Sequence, residues 1–329
     1  MNAAGESVNI VSKNRRTSSL SPANMPAEPV QPDIVRLAHL LSACTPHDGV
    51  FELSVPGAHA GRHSHPHQAC VHSLRLPCLS IIAQGSKTVI VGNKVYTCDP
   101  TQMLVYSVAI PVAAQITQAS YSCPYLAFRL DLDPQRIAEL VLKVFPNGLP
   151  PAQQRQAVYS APQDASIIDA VIRLLECLGQ PTEAELIGPL VVEEILIRLL
   201  RSPIGVRVAQ MGFAESTVQR IANAIAWLRE NFSQPIKIEE LAGMVHMSVS
   251  SFHEHFKSVT SMTPLHYQKA LRLQAARQLM LSALMDAASA GQRVGYLSPS
   301  QFSREYSRFF GTAPARDIAR LRHEPQASA

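Results

Sequence analysis

Two segments of this sequence place the same residue types at the same spacing, fifty positions apart. Ser248-Val-Ser-Ser-Phe-His-Glu-His-Phe256 aligns with Ser298-Pro-Ser-Gln-Phe-Ser-Arg-Glu-Tyr306, and Pro264 falls on Pro314. Apolar residues recur at i, i+4 and i+7 in both (Phe252, Phe256, Val259; Phe302, Tyr306, Phe309), so each segment is predicted to form a helix with one buried side. The free side carries Ser250, His253, Glu254 and Lys257 in the first copy, and Ser300, Gln301, Ser303, Arg304, Ser307 and Arg308 in the second. These groups suit duplex DNA. An arginine pairs bidentately with guanine, a glutamate can accept from cytosine, and basic side chains neutralise phosphate. The same faces would also serve as the outer surface of a helical bundle; duplication and charge favour the DNA reading.

The charge is unevenly placed. Residues 1–205 hold 15 Lys and Arg against 16 Asp and Glu, whereas residues 206–329 hold 14 against 9 and five of the twelve histidines. The whole excess of the chain, net +4, thus falls in the C-terminal third, which points to a polyanionic partner there. No stretch reaches the ~20 uncharged apolar residues of a membrane span, and the most apolar region, 186–206, is interrupted by Glu193, Glu194, Arg198 and Arg201. Six scattered cysteines without a C-x-x-C pair read as reduced thiols in the cytoplasm.

Local signals show how the two polar faces would be held. Ser248 and Ser298 are N-cap residues, Pro299 takes a first helical position, and Gln301 would complete a capping box. Helices over 238–245 and 285–294 precede them across short turns, which makes two helix-turn-helix units. A helix over 264–282 separates the units; its ~28 Å is comparable with the ~34 Å between major-groove readers on one face of B-DNA. Gly291 and Ser289 depart from a good helix in the second unit, the glycine costing ~1 kcal/mol against alanine.

Upstream, residues 51–132 are a series of short Val, Ile and Tyr-rich strands, with Gly85-Ser86 and Gly92-Asn93 as two-residue hairpin turns. That pattern predicts an antiparallel barrel or sandwich. Helices follow over 134–144, 166–178 and 183–201. The last has a wide apolar face (Leu186, Leu190, Val191, Ile195, Leu196, Leu199, Leu200) that would pack on its own barrel or form a coiled coil with a second copy. Residues 1–32 read as a disordered tail.

Taken together, residues 245–257, Met262-Thr-Pro-Leu265, Leu271-Arg-Leu-Gln274 and Ala276-Arg-Gln-Leu-Met280 resemble the first helix-turn-helix and linker helix of the AraC family of bacterial transcription regulators. Val294-Gly-Tyr296, residues 298–306, and Phe310-Gly311 through Pro314 resemble its second. Gln84-Gly-Ser-Lys87, Tyr106-Ser-Val-Ala-Ile-Pro111 and Pro124-Tyr125 through Leu132 are similar to the cupin-like sensor domain of one large subgroup. The resemblance implies an α+β protein: a cupin-like antiparallel β-barrel with helices over 33–205, a linker over 206–216, and an all-α DNA-binding domain with two helix-turn-helix motifs over 217–325. It further implies a cytoplasmic regulator with promoter DNA, RNA polymerase and a small-molecule effector as partners, and a homodimer. Activation and repression are both open.

Other chemistries compete with that reading. His59, His63, His65, His67 and His72 include a His-x-His-x-His run that could bind metal, or could be a turn-rich solvated loop. No histidine follows until His246 and no glutamate within ten residues of His67, so no metal or cofactor is expected. Cys70, Cys78 and Cys123 could sense electrophiles or simply be buried. G-x-G-x-x-G, phosphate-loop and Ser-x-x-Lys motifs are missing, so no catalytic residue is assigned. The remaining alternatives are a ligand-blind regulator whose barrel only dimerises, and a cupin-type metalloenzyme.

Overall fold

The computed structural model describes residues 32–67, 69–151, 156–213 and 215–323. The tail expected to be disordered lies outside them apart from Pro32. α1 (Pro32–Cys44) is followed by β1 (Gly49–Glu52), β2 (Ala58–His63), β3 (Val71–Arg75), β4 (Cys78–Gln84), β5 (Ser86–Val91), β6 (Lys94–Cys98), β7 (Gln102–Tyr106), β8 (Ile110–Gln118) and β9 (Tyr125–Asp131). After α2 (Pro134–Val144), β10 (Val158–Pro162) returns to the strands, and α3 (Ala165–Cys177), α4 (Pro181–Leu186), α5 (Gly188–Arg201) and α6 (Gly205–Ala209) cover them. The rest is helical: α7 (Thr217–Asn231), α8 (Ile238–Met244), α9 (Val249–Thr260), α10 (Pro264–Ser282), α11 (Ala287–Arg293), α12 (Pro299–Phe310) and α13 (Pro314–His323).

Among the described residues the strands make two antiparallel sheets, β1-β2-β9-β4-β7-β10 and β3-β8-β5-β6. The expected barrel is therefore not closed. The reason lies at Gly85, which was expected to turn a hairpin. β4 pairs with β7 and β9, and β5 with β6 and β8, so Gly85 carries the chain from one sheet to the other. Its φ is +76°, and a Cβ there would lie 2.5 Å from the Gln118 carbonyl oxygen, so only glycine fits. Gly92-Asn93 does close a hairpin, with Val91 opposite Lys94.

Alternation along the strands divides the core. Leu79, Ile81, Leu126, Phe128 and Leu130 face α1, α3 and α5, while Cys78, Ile82 and Tyr125 join Val89, Val112 and Ile116 between the sheets. The single helix expected over 183–201 is two, broken at Ile187, because Pro189 has no N–H to continue the hydrogen-bond ladder. Its apolar face is also spoken for. Val191, Ile195, Leu196, Leu199 and Leu200 are buried in the domain's own core, and only Leu186, Ile187 and Leu190 remain exposed. A coiled coil through Leu196 and Leu200 is thereby excluded.

Two helix-turn-helix units follow. The first shares its core with the small sheet: Phe252, Phe256, Tyr267 and Leu271 cluster with Val108, Ala109, Ile110 and Val112. Tyr267 donates its hydroxyl to the Ala109 carbonyl (2.8 Å), and the Ala157 amide donates to the Val259 carbonyl (2.7 Å). The second unit has its own core of Leu273, Ala276, Met280, Ala290, Val294, Phe302, Tyr306 and Ile318. α10 thus buries Tyr267 and Leu271 in one cluster and Leu273, Ala276 and Met280 in the next, which explains why it is apolar on more than one side. Gly291 has a purpose here: a Cβ would meet Phe302 Cγ at 2.8 Å, so the glycine lets α11 lie against α12.

Both tight turns are Schellman caps. Met247 N–H donates to Ala242 O and His246 N–H to Gly243 O; Tyr296 N–H donates to Gly291 O and Gly295 N–H to Gln292 O, all at 3.0 Å. The left-handed residue is Gly295 (φ +94°) in the second copy but His246 (φ +54°) in the first. Replacing His246 by glycine should therefore stabilise the protein by roughly 0.5–1 kcal/mol, the relief of backbone strain less the extra freedom of the unfolded chain. Urea unfolding would read the gain; a less stable variant would mean that the imidazole contributes more than the strain costs.

Candidate nucleic-acid interface

Each reading helix begins on a serine cap and ends on a left-handed residue. Ser248 Oγ accepts from Ser251 N–H and Ser298 Oγ from Gln301 N–H, both at 3.3 Å, and the C-caps are Ser261 (φ +60°) and Gly311 (φ +76°). The capping box expected at Gln301 is only half made: its side-chain amide turns outward to Glu305 Oε1 (3.4 Å). Phe252, Phe256 and Val259 are buried under α9, as are Phe302 and Tyr306 under α12, and this fixes which side each helix presents.

On α9 the exposed residues include Ser250, His253, Glu254 and Lys257, and on α12 Ser300, Gln301, Ser303, Arg304 and Arg308. Ser307 is half-buried and donates its hydroxyl back to the Ser303 carbonyl (2.8 Å), so it is the weakest of the expected contacts. The two faces differ electrostatically. Glu305 on α12 is drawn inward by Tyr296 (2.9 Å) and Lys269 (3.2 Å). Burial raises its carboxyl, but these bonds outweigh it and hold the group below the usual carboxylate range. The outer side of α12 is left to Arg304 and Arg308. On α9, by contrast, Glu254 stands exposed between His253 and Lys257.

The units are locked to each other by one arginine. Arg272 of α10 donates to Phe232 O (2.7 Å), Gln234 O (3.0 Å) and Ser233 O (3.2 Å) beyond α7, and to Gly295 O (3.2 Å) in the second tight turn. Gln268 adds bonds to Phe232 O and Gln234 O at 2.9 and 2.6 Å. Close approach at the second turn needs Gly295, whose Cβ would lie 2.0 Å from Ser233 O. Phe309, expected in the helix core, instead meets the strands: the His72 ring lies 4.8 Å from Phe309 and 5.1 Å from Phe310, centre to centre. Burial, and then the Arg277 charge, push His72 down to about 4, so it is neutral there at ordinary pH.

The histidine run does not assemble. His63 ends β2 and lies 5.1 Å from His67 ring to ring, but His65 meets Tyr121 edge-on, 4.3 Å between ring centres. Among the described residues no three His, Cys, Asp or Glu side chains are grouped to hold a metal ion. Burial pushes the Cys78 and Cys98 thiols up to about 11, whereas Cys123 is exposed. No described helix is long and apolar enough to cross a membrane.

The family described as AraC-type transcriptional regulator N-terminus matches residues 54–207, and a helix-turn-helix domain family matches residues 241–320, together more than two thirds of the chain. The chain belongs to the AraC family. This AraC-family chain is 26% identical over 150 residues to the HTH-type transcriptional activator RhaS of Klebsiella pneumoniae, a match covering 45% of this chain and 51% of that one. It is 27% identical over 144 residues to the HTH-type transcriptional regulator ArgR of Pseudomonas aeruginosa, covering 44% of each. The chain thus spans about half the length of these curated relatives. In fold it is similar to ToxT of Vibrio cholerae O395 (TM-score 0.53, 11% identity, 80% of this chain and 98% of that one) and of strain SCE256 (TM-score 0.51, 9% identity, 79% and 94%).

Sequence reasoning missed one cluster. Arg75, Lys87, Arg129 and Tyr125 converge between the sheets from three strands, β3, β5 and β9. Only the inward period of each strand hinted at it.

Proposed function

We propose that this protein is a sequence-specific DNA-binding transcription regulator of the cytoplasm, whose two reading helices enter successive major grooves and whose N-terminal sandwich binds a small-molecule effector. The observation that carries it is the pair of capped helices, each with a polar outer face, joined by a rigid α10. Arg304 and Arg308, with Ser300, Gln301 and Ser303, form the stronger half of the interface; Ser250, His253, Glu254 and Lys257 form the weaker half, with Ser307 at its margin. RNA polymerase and a second copy of the chain are partners in this reading, and domains over 33–205 and 217–325 are its units. The core shared by the small sheet and the first helix-turn-helix supports signalling between them, because a change between the sheets reaches Tyr267 directly.

Selection from random duplex DNA by the full chain should return a site with two elements centred about 10–10.5 base pairs apart. Affinity for it should fall with salt, the log-log slope being about −0.9 per phosphate neutralised. Failure to enrich any sequence, or a single element only, would overturn the two-reader arrangement.

A further inference from the structure

Between the sheets lies a cavity of about 80 Å³ whose wall includes Arg75 of β3, Lys87 of β5, and Tyr125 and Arg129 of β9. No carboxylate contributes to that wall among the described residues. Arg129 reaches outward to the half-exposed Asp131 (3.3 Å), and Lys87 Nζ lies 5.7 Å from the centre of the Tyr125 ring. The Arg75 guanidinium has no ion pair among the described residues. Tyr125 is 4% exposed, and its hydroxyl is buried without a hydrogen-bond partner among the described residues. The three cations are half-buried and Tyr125 is buried, and taking such groups even partly out of water is unfavourable unless something compensates them. His63 adds no charge: burial, then repulsion from His67 and Lys87, bring it down to about 4 despite the pull of Asp48.

The donors in this wall lack an acceptor of matching charge. A neutral sugar would ask for carboxylates or amide oxygens to accept from its hydroxyls, whereas a carboxylate asks only for donors. The rest of the wall mixes apolar Val71, Ala114 and Ile116 with polar Ser80, His59 and His67. At ~10–15 Å³ per water-sized group, the cavity holds roughly five to eight non-hydrogen atoms.

We propose that this cavity is the effector site and that it takes a small organic carboxylate, its charge met by Arg75 and Lys87, its oxygen accepting from the Tyr125 hydroxyl, and its short tail lying on Ile116 and Ala114. The assignment rests on the effector-binding reading above and names the ligand class for it.

The test is thermal melting of the full chain at constant ionic strength, titrated with butyrate, succinate, inorganic phosphate and the neutral butyramide. A saturable rise in Tm is expected with butyrate or succinate and none with butyramide. Arg75→Gln and Lys87→Gln should each weaken the effect at least about tenfold, the scale of a charged hydrogen bond, while melting no lower than wild type without ligand, since each removes an uncompensated charge. Tyr125→Phe gives a third, uncharged variant should either glutamine variant fail to fold. The assignment is overturned if no carboxylate gives a saturable shift, if butyramide does as well as butyrate, if phosphate alone acts, or if the shift survives in all the variants. DNA selection by the same preparation judges the regulator reading separately: a protein that selects its site yet ignores carboxylates loses only the ligand class.

Discussion

Replacing Asp317 by alanine should destabilise the second helix-turn-helix by about 3–5 kcal/mol, the cost of removing one partner from a buried ion pair. Asp317 is 0% exposed and accepts from Arg277 through two bonds (2.7 and 2.9 Å), from the Tyr306 hydroxyl (2.8 Å) and from Arg320 (3.1 Å). One carboxylate therefore joins α10, α12 and α13, and its loss leaves the Arg277 guanidinium buried over the Phe310 ring, 4.3 Å from its centre. Arg320→Ala, at the wetter end of the network, should cost less than about 1 kcal/mol. Urea unfolding followed by circular dichroism would read both, and equal losses would refute the buried pair as the anchor. Burial pulls the Asp317 carboxyl up, but the Arg277 and Tyr306 hydrogen bonds and the Arg277 charge prevail and hold it below its ordinary value. Its stabilisation is therefore complete above the unfolded carboxyl's value of about 3.9 and is lost as pH falls through the lower folded value. The alanine variant should lack that part of the acid transition.

Arg304→Ala should change which DNA sequence is selected, beyond weakening the binding. The side chain lies in the first half of a helix set by the Ser298 cap and Pro299, on the face opposite buried Phe302 and Tyr306, the outward face a recognition helix turns to base edges. A bidentate arginine-guanine pair discriminates by about 1–3 kcal/mol, roughly 5- to 150-fold. A phosphate contact would instead weaken every sequence alike and lower the salt slope by about one. Selection with the variant should recover the wild-type site with one guanine position relaxed. An unchanged consensus with a shallower salt slope would make Arg304 a phosphate clamp. The same substitution should cost more affinity than His253→Ala, because Glu254 beside His253 repels phosphate and nothing comparable faces outward on α12.

The reading helices, their caps, the tight turns between helices and the bounds of α10 were legible in the sequence because each depends on residues within a few positions. Ser248 and Ser298 cap bonds that begin three residues on, and the i, i+4, i+7 spacing of Phe252, Phe256 and Val259 names the buried side by itself. The strands β4 to β9 were legible as strands, but β1, β2, β3 and β10, and the partners of all of them, were not. Gly85 looks like a hairpin glycine, yet whether the next strand folds back or crosses to a second sheet depends on pairing with distant residues, such as Ile81 with Phe128, 47 positions on, and Val89 with Ala114, 25 positions on. The large sheet is covered on both faces, so alternation along β9 could not say that Tyr125 and Arg129 turn inward to meet Arg75 and Lys87. The apolar face of α5 was equally visible, but an apolar stripe records only that it must be covered, and the tertiary structure covers it with the domain's own core. Local periodicity thus determined the DNA-reading half of this protein, and non-local strand pairing decided the shape and charge of its candidate effector site.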